Sequence, residues 1–145
     1  MKLRNETLIY AKMRKIMVLH ERMMNRELKR VGLTMKQGQM LGDISRDEGI
    51  NQTDLAVRLD KRNASATSML QTLEKRGYIE RVIPSDNERQ KKIYLLPKGK
   101  KVVHDLTQLF STVEEDIFDQ LNSDDQNQLL VALDKILDGI ADKTI

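Results

Sequence analysis

The chain has 145 residues, 39% hydrophobic and 32% charged, with a formal net charge of +3 and no cysteine. That length suits one domain with a proper core, and the missing cysteines exclude disulfides, thiolate metal sites and thiol redox sensing. No run of eighteen apolar residues is present to cross a membrane, and the first residues, MKLRNETLIYAKMRK, lack an apolar signal core, so a cytoplasmic location is expected. The charge is also unevenly spread. Residues 1–40 hold ten Lys or Arg against three acids, while residues 101–145 hold three against ten. A basic working surface early in the chain and an acidic end facing elsewhere are the expectation.

From Thr7 to Val31 apolar residues recur at Ile9, Met13, Ile16, Met17, Met23, Met24, Leu28 and Val31. Intervals of three and four predict an amphipathic helix. Gly32 can end it in the left-handed conformation. Thr34-Met35-Lys36-Gln37 is a capping box that opens a second helix carrying Met40, Leu41 and Ile44 and stopping near Gly49. Asn51 then caps a short third helix with Leu55, Ala56 and Leu59 inward. The polar stretch Asp60–Asn63 turns the chain into a fourth helix, with Ala66, Met69, Leu70 and Leu73 inward, closed by Gly77. Two short helices joined by a tight turn are a helix-turn-helix candidate.

Beyond Gly77 the period changes to two. "YIERVI" and "KIYLL" read as strands joined by the turn formers Pro84 to Glu88, which makes a β-hairpin. Its tip and return strand lie in "NERQKKIYLLPKGKK", which holds six Lys or Arg and one acid. Pro97 suits the first turn of a fifth helix, with Val103, Leu106, Phe110, Val113, Ile117 and Leu121 on one side. Ser123–Gln126, "SDDQ", reads as a second capping box opening a sixth helix with Leu129, Leu130, Leu133, Ile136, Leu137 and Ile140. Three long apolar stripes, on the first and last two helices, exceed what the rest of the chain can cover. A helical dimer interface is the expected outlet, disrupted by a charge at Leu106 or Leu133.

The order of elements is that of a winged helix-turn-helix flanked by dimerisation helices, mainly α with a small β-hairpin wing. The residues Ser65 and Thr67, Leu73-Glu74-Lys75-Arg76-Gly77-Tyr78-Ile79-Glu80-Arg81, Asn87-Glu88-Arg89 and Leu95-Leu96-Pro97-Lys98-Gly99, in that order, resemble the MarR family of multiple-antibiotic-resistance regulators. The likeness covers essentially the whole chain. Two departures stand out: Asn87 where the family's wing D-x-R motif has Asp, unless Asp86 fills that role one position early, and Leu96 where its L-T-x-x-G motif has Thr. The resemblance implies one MarR-type domain divided as 1–32, an N-terminal dimerisation helix; 33–99, the DNA-binding lobe; and 100–145, the C-terminal dimerisation helices.

In such a fold the second helix of the pair enters the major groove by its N-terminal part. By position Asn63, Ala64, Ser65, Thr67 and Ser68 would meet base edges there, with Gln71 one turn deeper. Asn63 or Ser65 can equally serve as a helix cap, and Thr67 as a structural contact. Arg89, on the hairpin tip, is placed to enter a narrow minor groove. Lys91, Lys92, Lys61 and Arg62 would neutralise phosphates. The family's small-molecule effectors commonly occupy a cleft between dimerisation helices and DNA-binding lobe, and Met17, His20 and Met24 are the candidates to line one. For His20 a half-buried structural role is the competing reading, and for the methionines plain packing. His104 falls on a polar helix face. Two such histidines without cysteine make no metal site, no catalytic constellation or cofactor motif is visible, and an enzyme is not expected. The expectation is a homodimeric, sequence-specific regulator of double-stranded DNA, a repressor released from a pseudo-palindromic operator by a small effector. The rival is a winged-helix module that grips an acidic protein with the same hairpin.

Overall fold

Each helix boundary follows from a few local bonds. Thr34 Oγ1 accepts the amide of Gln37 at 3.2 Å while the Gln37 side chain accepts the amide of Thr34 at 3.0 Å. This reciprocal cap satisfies two donors that a helix start leaves bare. In the computed structural model, which describes residues 8–59, 63–85, 90–141 and 143, the helices are α1 (Ile9–Arg30), α2 (Met35–Arg46), α3 (Gln52–Arg58), α4 (Asn63–Lys75), α5 (Pro97–Phe118) and α6 (Ser123–Ala141). The strands β1 (Ile79–Val82) and β2 (Lys92–Leu95) lie between α4 and α5. Gly32 and Gly77 take φ of 69° and 78°. There the amides of Leu33 and Tyr78 reach back to the carbonyls of Leu28 and Leu73, closing α1 and α4.

The six-helix order and the antiparallel hairpin match the expected winged helix. The register pairs Ile79 with Leu95 and Arg81 with Ile93. One feature of β2 is not visible in the local sequence pattern. Its far edge is also occupied: Gly49 donates to the Ile93 carbonyl at 2.8 Å, and Ile93 donates to the Ile50 carbonyl at 3.0 Å. Leu95 donates to Glu48 Oε1 at 3.1 Å. The return strand is therefore held from both sides, which keeps the base of the wing fixed to the end of α2.

The chain divides into two units, Met1–Phe110 and Ser111–Ile145. In the first, one cluster joins Leu28, Met40, Leu41, Ile44, Leu55, Leu70, Leu73, Ile79, Ile93 and Leu106, all almost wholly buried. Leu106 thus belongs to this core, with Val102, Val103 and Leu109 packed beside it. A charge there would break the lobe itself and not only an interface between copies. Gly99 is required for this packing, because a Cβ would lie 2.1 Å from the Tyr78 carbonyl oxygen. That oxygen accepts the Leu96 amide at 3.0 Å, and so fixes the entry of α5.

In the second unit Val113 is buried, while α6 buries none of its residues. The expected cap at Ser123 is displaced by one residue. Asn122 Oδ1 accepts the Asp125 amide at 2.9 Å, and the Gln126 side chain donates to the carbonyls of Phe118 and Leu121. Asn and Ser are both good caps, and the carbonyls left at the end of α5 draw Gln126 away from the box. No helix among the described residues is long and apolar enough to cross a membrane.

Candidate nucleic-acid interface

The helix pair α3–α4 carries the predicted reading surface. Asn51 Oδ1 accepts the Asp54 amide at 2.8 Å, and its Nδ2 donates to the Asp54 carboxylate at 2.7 Å, so α3 begins with its own cap in place. The side-chain Nε2 of Gln52 donates to the Thr67 hydroxyl, joining the first turn of α3 to α4. Thr67 is half-buried at this joint and holds the two helices together. Along α4 the pattern splits cleanly. Ala66, Leu70 and Leu73 are wholly buried, while Ser65, Ser68 and Gln71 are exposed one turn apart on the other side. Small polar side chains on a firmly seated helix allow close approach to base edges and supply hydrogen bonds to them.

The wing is locked to that helix by charge. Arg81 on β1 donates through Nε and Nη2 to Glu74 Oε2, at 3.0 and 2.6 Å. The Arg81 side chain is only 13% exposed. The hydrogen bond from Arg81 holds the Glu74 carboxyl below its ordinary range, against the opposing effect of burial, and Lys91 adds to the lowering. At the same end of α4, Arg76, just past its last residue, donates to the Gly32 carbonyl at 2.7 Å and lies over the Tyr78 ring. Lys98 covers the same ring and donates to the Arg76 carbonyl. These cations serve the scaffold.

Lys91 and Lys92 are exposed where β2 leaves the hairpin, and Lys92 lies in a β-bridge with Asn51. The backbone thereby brings the wing's basic base next to the start of α3. Lys61, Arg62 and Arg89 lie outside the described residues, as do the side chains of Asn63 and Ala64. The three effector candidates follow one another at helical spacing along α1. Met24 is wholly buried, Met17 is 63% exposed, and His20 is half-buried with its ring 6.4 Å from that of Phe110. His104 is exposed.

A cleft elsewhere in the first unit was not apparent from the sequence. It has a volume of about 490 Å³ and is lined by Gly38, Gly42 and Arg46 of α2, Arg58 and Leu59 at the end of α3, and Phe110 of α5, among others. None of Met17, His20 and Met24 lines it. Its only signal in the sequence is a pair of glycines one helical turn apart on α2.

A capped α3, a seated α4 with a polar outer face and a hairpin fastened to both define a winged helix-turn-helix, a class of duplex-DNA reader. The model of the MarR family matches residues 33–91. A solved Clostridium acetobutylicum protein assigned to the MarR-family transcriptional regulators is 43% identical, over 88% of this chain and 94% of that one, with a TM-score of 0.73. The transcriptional regulator SarZ of Staphylococcus haemolyticus is 29% identical over 117 residues, 81% of this chain and 78% of its own. The MepR–DNA complex of Staphylococcus aureus is 26% identical, covers 92% of this chain and 99% of that one, and has a TM-score of 0.75. The chain belongs to the MarR family, a family of winged-helix transcriptional regulators.

Proposed function

We propose that this regulator is a cytoplasmic homodimeric repressor that occupies a pseudo-palindromic duplex and leaves it when a small effector binds. The observation that carries the reading is the exposed polar row Ser65, Ser68 and Gln71, backed by the buried row Ala66, Leu70 and Leu73. Such a helix has no packing use for its outer face. In this reading Asn63, Ala64, Ser65, Ser68 and Gln71 meet bases, Arg89 enters the minor groove, and Lys61, Arg62, Lys91 and Lys92 neutralise phosphates. Residues 33–99 form the DNA-binding lobe, flanked by dimerising segments 1–32 and 100–145. Support for the dimer comes from apolar residues left in the open, Ile9 at 71%, Met17 at 63% and Leu137 at 64% exposed. Two-fold symmetry of the protein then calls for two half-sites about one helical turn apart. The effector acts by changing the separation or orientation of the two lobes.

The experiment is selection of bound duplexes from a random pool, followed by gel shifts over a salt series. The reading expects an enriched, two-fold-related sequence and a steep linear fall of log affinity with log salt. Enrichment of nothing, with no duplex retained at low salt, would dismiss it.

A further inference from the structure

Three segments distant in sequence meet at one place in the lobe: the end of α1, the end of α4 and the first turn of α5. Arg76, just past the last residue of α4, makes the join. Its Nη1 donates to the Gly32 carbonyl at 2.7 Å, across 44 positions of sequence, and its Nη2 donates to the Tyr78 hydroxyl at 3.3 Å. Gly32 suits this join in two ways. Its φ of 69° lets the chain leave α1, and a Cβ there would lie 3.1 Å from Arg76 Nη2 and press on the guanidinium.

Tyr78 anchors the join and is buried. The Arg76 guanidinium lies 5.1 Å from its ring centroid and the Lys98 ammonium 4.5 Å, both within reach of a cation–π attraction. Lys98, in the first turn of α5, also donates to the Arg76 carbonyl at 2.8 Å, one of the acceptors that a helix end leaves bare. Beyond the shared core, the helices joined here have different neighbours: α1 packs on α2, whereas α4 packs on α3 and β1. The bond from Arg76 to Gly32 is therefore a link between α1 and α4 that does not run through α2 or α3. Two directed bonds from one planar fork also oppose a pivot that a single contact would permit.

We propose that Arg76 is a positioning residue that fixes α4 against α1 and thereby sets the half-site spacing this protein accepts. This rests on the regulator reading above, in which α1 joins the copies and α4 reads bases. Arg76 lies beyond the end of α4 opposite to the one that enters the groove, so it acts on the placement of the reading helix and not on the bases. Each base pair added between two half-sites turns one of them by about 35° around the duplex and moves it by about 3.4 Å. A stiff joint between α1 and α4 loses contacts at the shifted site, whereas a slack joint follows it.

The test measures binding of the full chain to the selected duplex, to duplexes with one base pair inserted or removed between the half-sites, and to a duplex with a single half-site. The wild type should favour the selected spacing. Arg76→Gln should keep the affinity for the single half-site while narrowing the preference between spacings by about fivefold, the low end for coupling between sites. Arg76→Lys keeps the charge without the fork and should narrow the preference as well. Tyr78→Phe removes only the hydroxyl that Nη2 bonds and should narrow it by less; this variant decides the matter if those at Arg76 do not fold by circular dichroism. Equal losses on every duplex, the single half-site included, would reduce Arg76 to a phosphate contact or a support of the fold. Narrowing confined to Arg76→Gln would assign the effect to charge, and an unchanged preference in all folded variants would leave α4 held by the core alone. Each of these three results overturns the proposal. A wild type that binds no duplex, or binds every spacing alike, would instead overturn the regulator reading.

Discussion

Leu70 on α4 and Leu137 on α6 hold equivalent places in their amphipathic patterns, yet the first is wholly buried and the second is 64% exposed. The same contrast separates the two regions to which they belong. Between Leu33 and Leu106 each apolar stripe meets another from the same chain, and the cluster closes on itself. On the first half of α1 and along α6 the stripes are as regular but remain in the open. Periodicity states that a face is to be buried; which molecule buries it is decided by how many such faces the chain can bring together. A region that completes its own core can position a reading surface, and one that does not is suited to joining copies.

Substitutions in the two regions should therefore differ in kind. The largest effect is expected from Leu106→Asp, which places an unpaired charge in the lobe's core and should cost about 3–5 kcal/mol. Urea unfolding would measure it, and a wild-type transition would disprove that α5 completes this core. Next comes Leu137→Asp, which should leave the lobe folded by circular dichroism while weakening self-association by about 2 kcal/mol or more. Analytical ultracentrifugation reads this directly, and an unchanged dimer would place the interface elsewhere.

A smaller change is expected within the lobe at the wing joint. Glu74→Gln removes the charge that Arg81 holds and should cost about 1 kcal/mol at neutral pH. The Glu74 carboxyl is lowered in the folded state by Arg81, so its contribution is fully present above the unfolded carboxylate value, about 4.3. It is lost as pH falls through the lower folded value. Wild type and variant should then converge in acid, and a difference that persists below that range would assign the effect to something other than this charge. The smallest effect has the opposite sign. Gly42→Ala should stabilise by about 0.5–1 kcal/mol and raise Tm by roughly 2–4 °C in a calorimetric scan. A lower Tm would show that the cleft floor is not open.

The lobe was readable from sequence wherever one stretch of chain contains both partners of an interaction. Thr34 and Gln37 announce their capping box because three positions separate them. The α4 faces follow from the spacing of Ala66, Leu70 and Leu73. Where two neighbouring residues offer the same chemistry, the local pattern cannot choose, and Asn122 took the cap assigned to Ser123. Contacts between distant segments left fainter traces. The pairing of Gly49 and Ile50 with Ile93 left no local mark, because it is made by backbone groups that every residue carries. The cleft left almost none. Met17, His20 and Met24 offer side chains to a ligand, whereas the cleft is opened in part by a side chain that Gly42 lacks.

The outer face of α4 is tested most directly by one comparison: binding of wild type and Gln71→Ala to the selected duplex and to a scrambled one over the same salt series. Gln71 is exposed on the row that faces away from the core. Its truncation should cost about 1–3 kcal/mol on the selected duplex, leave the scrambled duplex unaffected, and keep the salt slope of the wild type. Equal losses on both duplexes, or a wild type that does not distinguish them, would contradict the claim that this helix reads sequence.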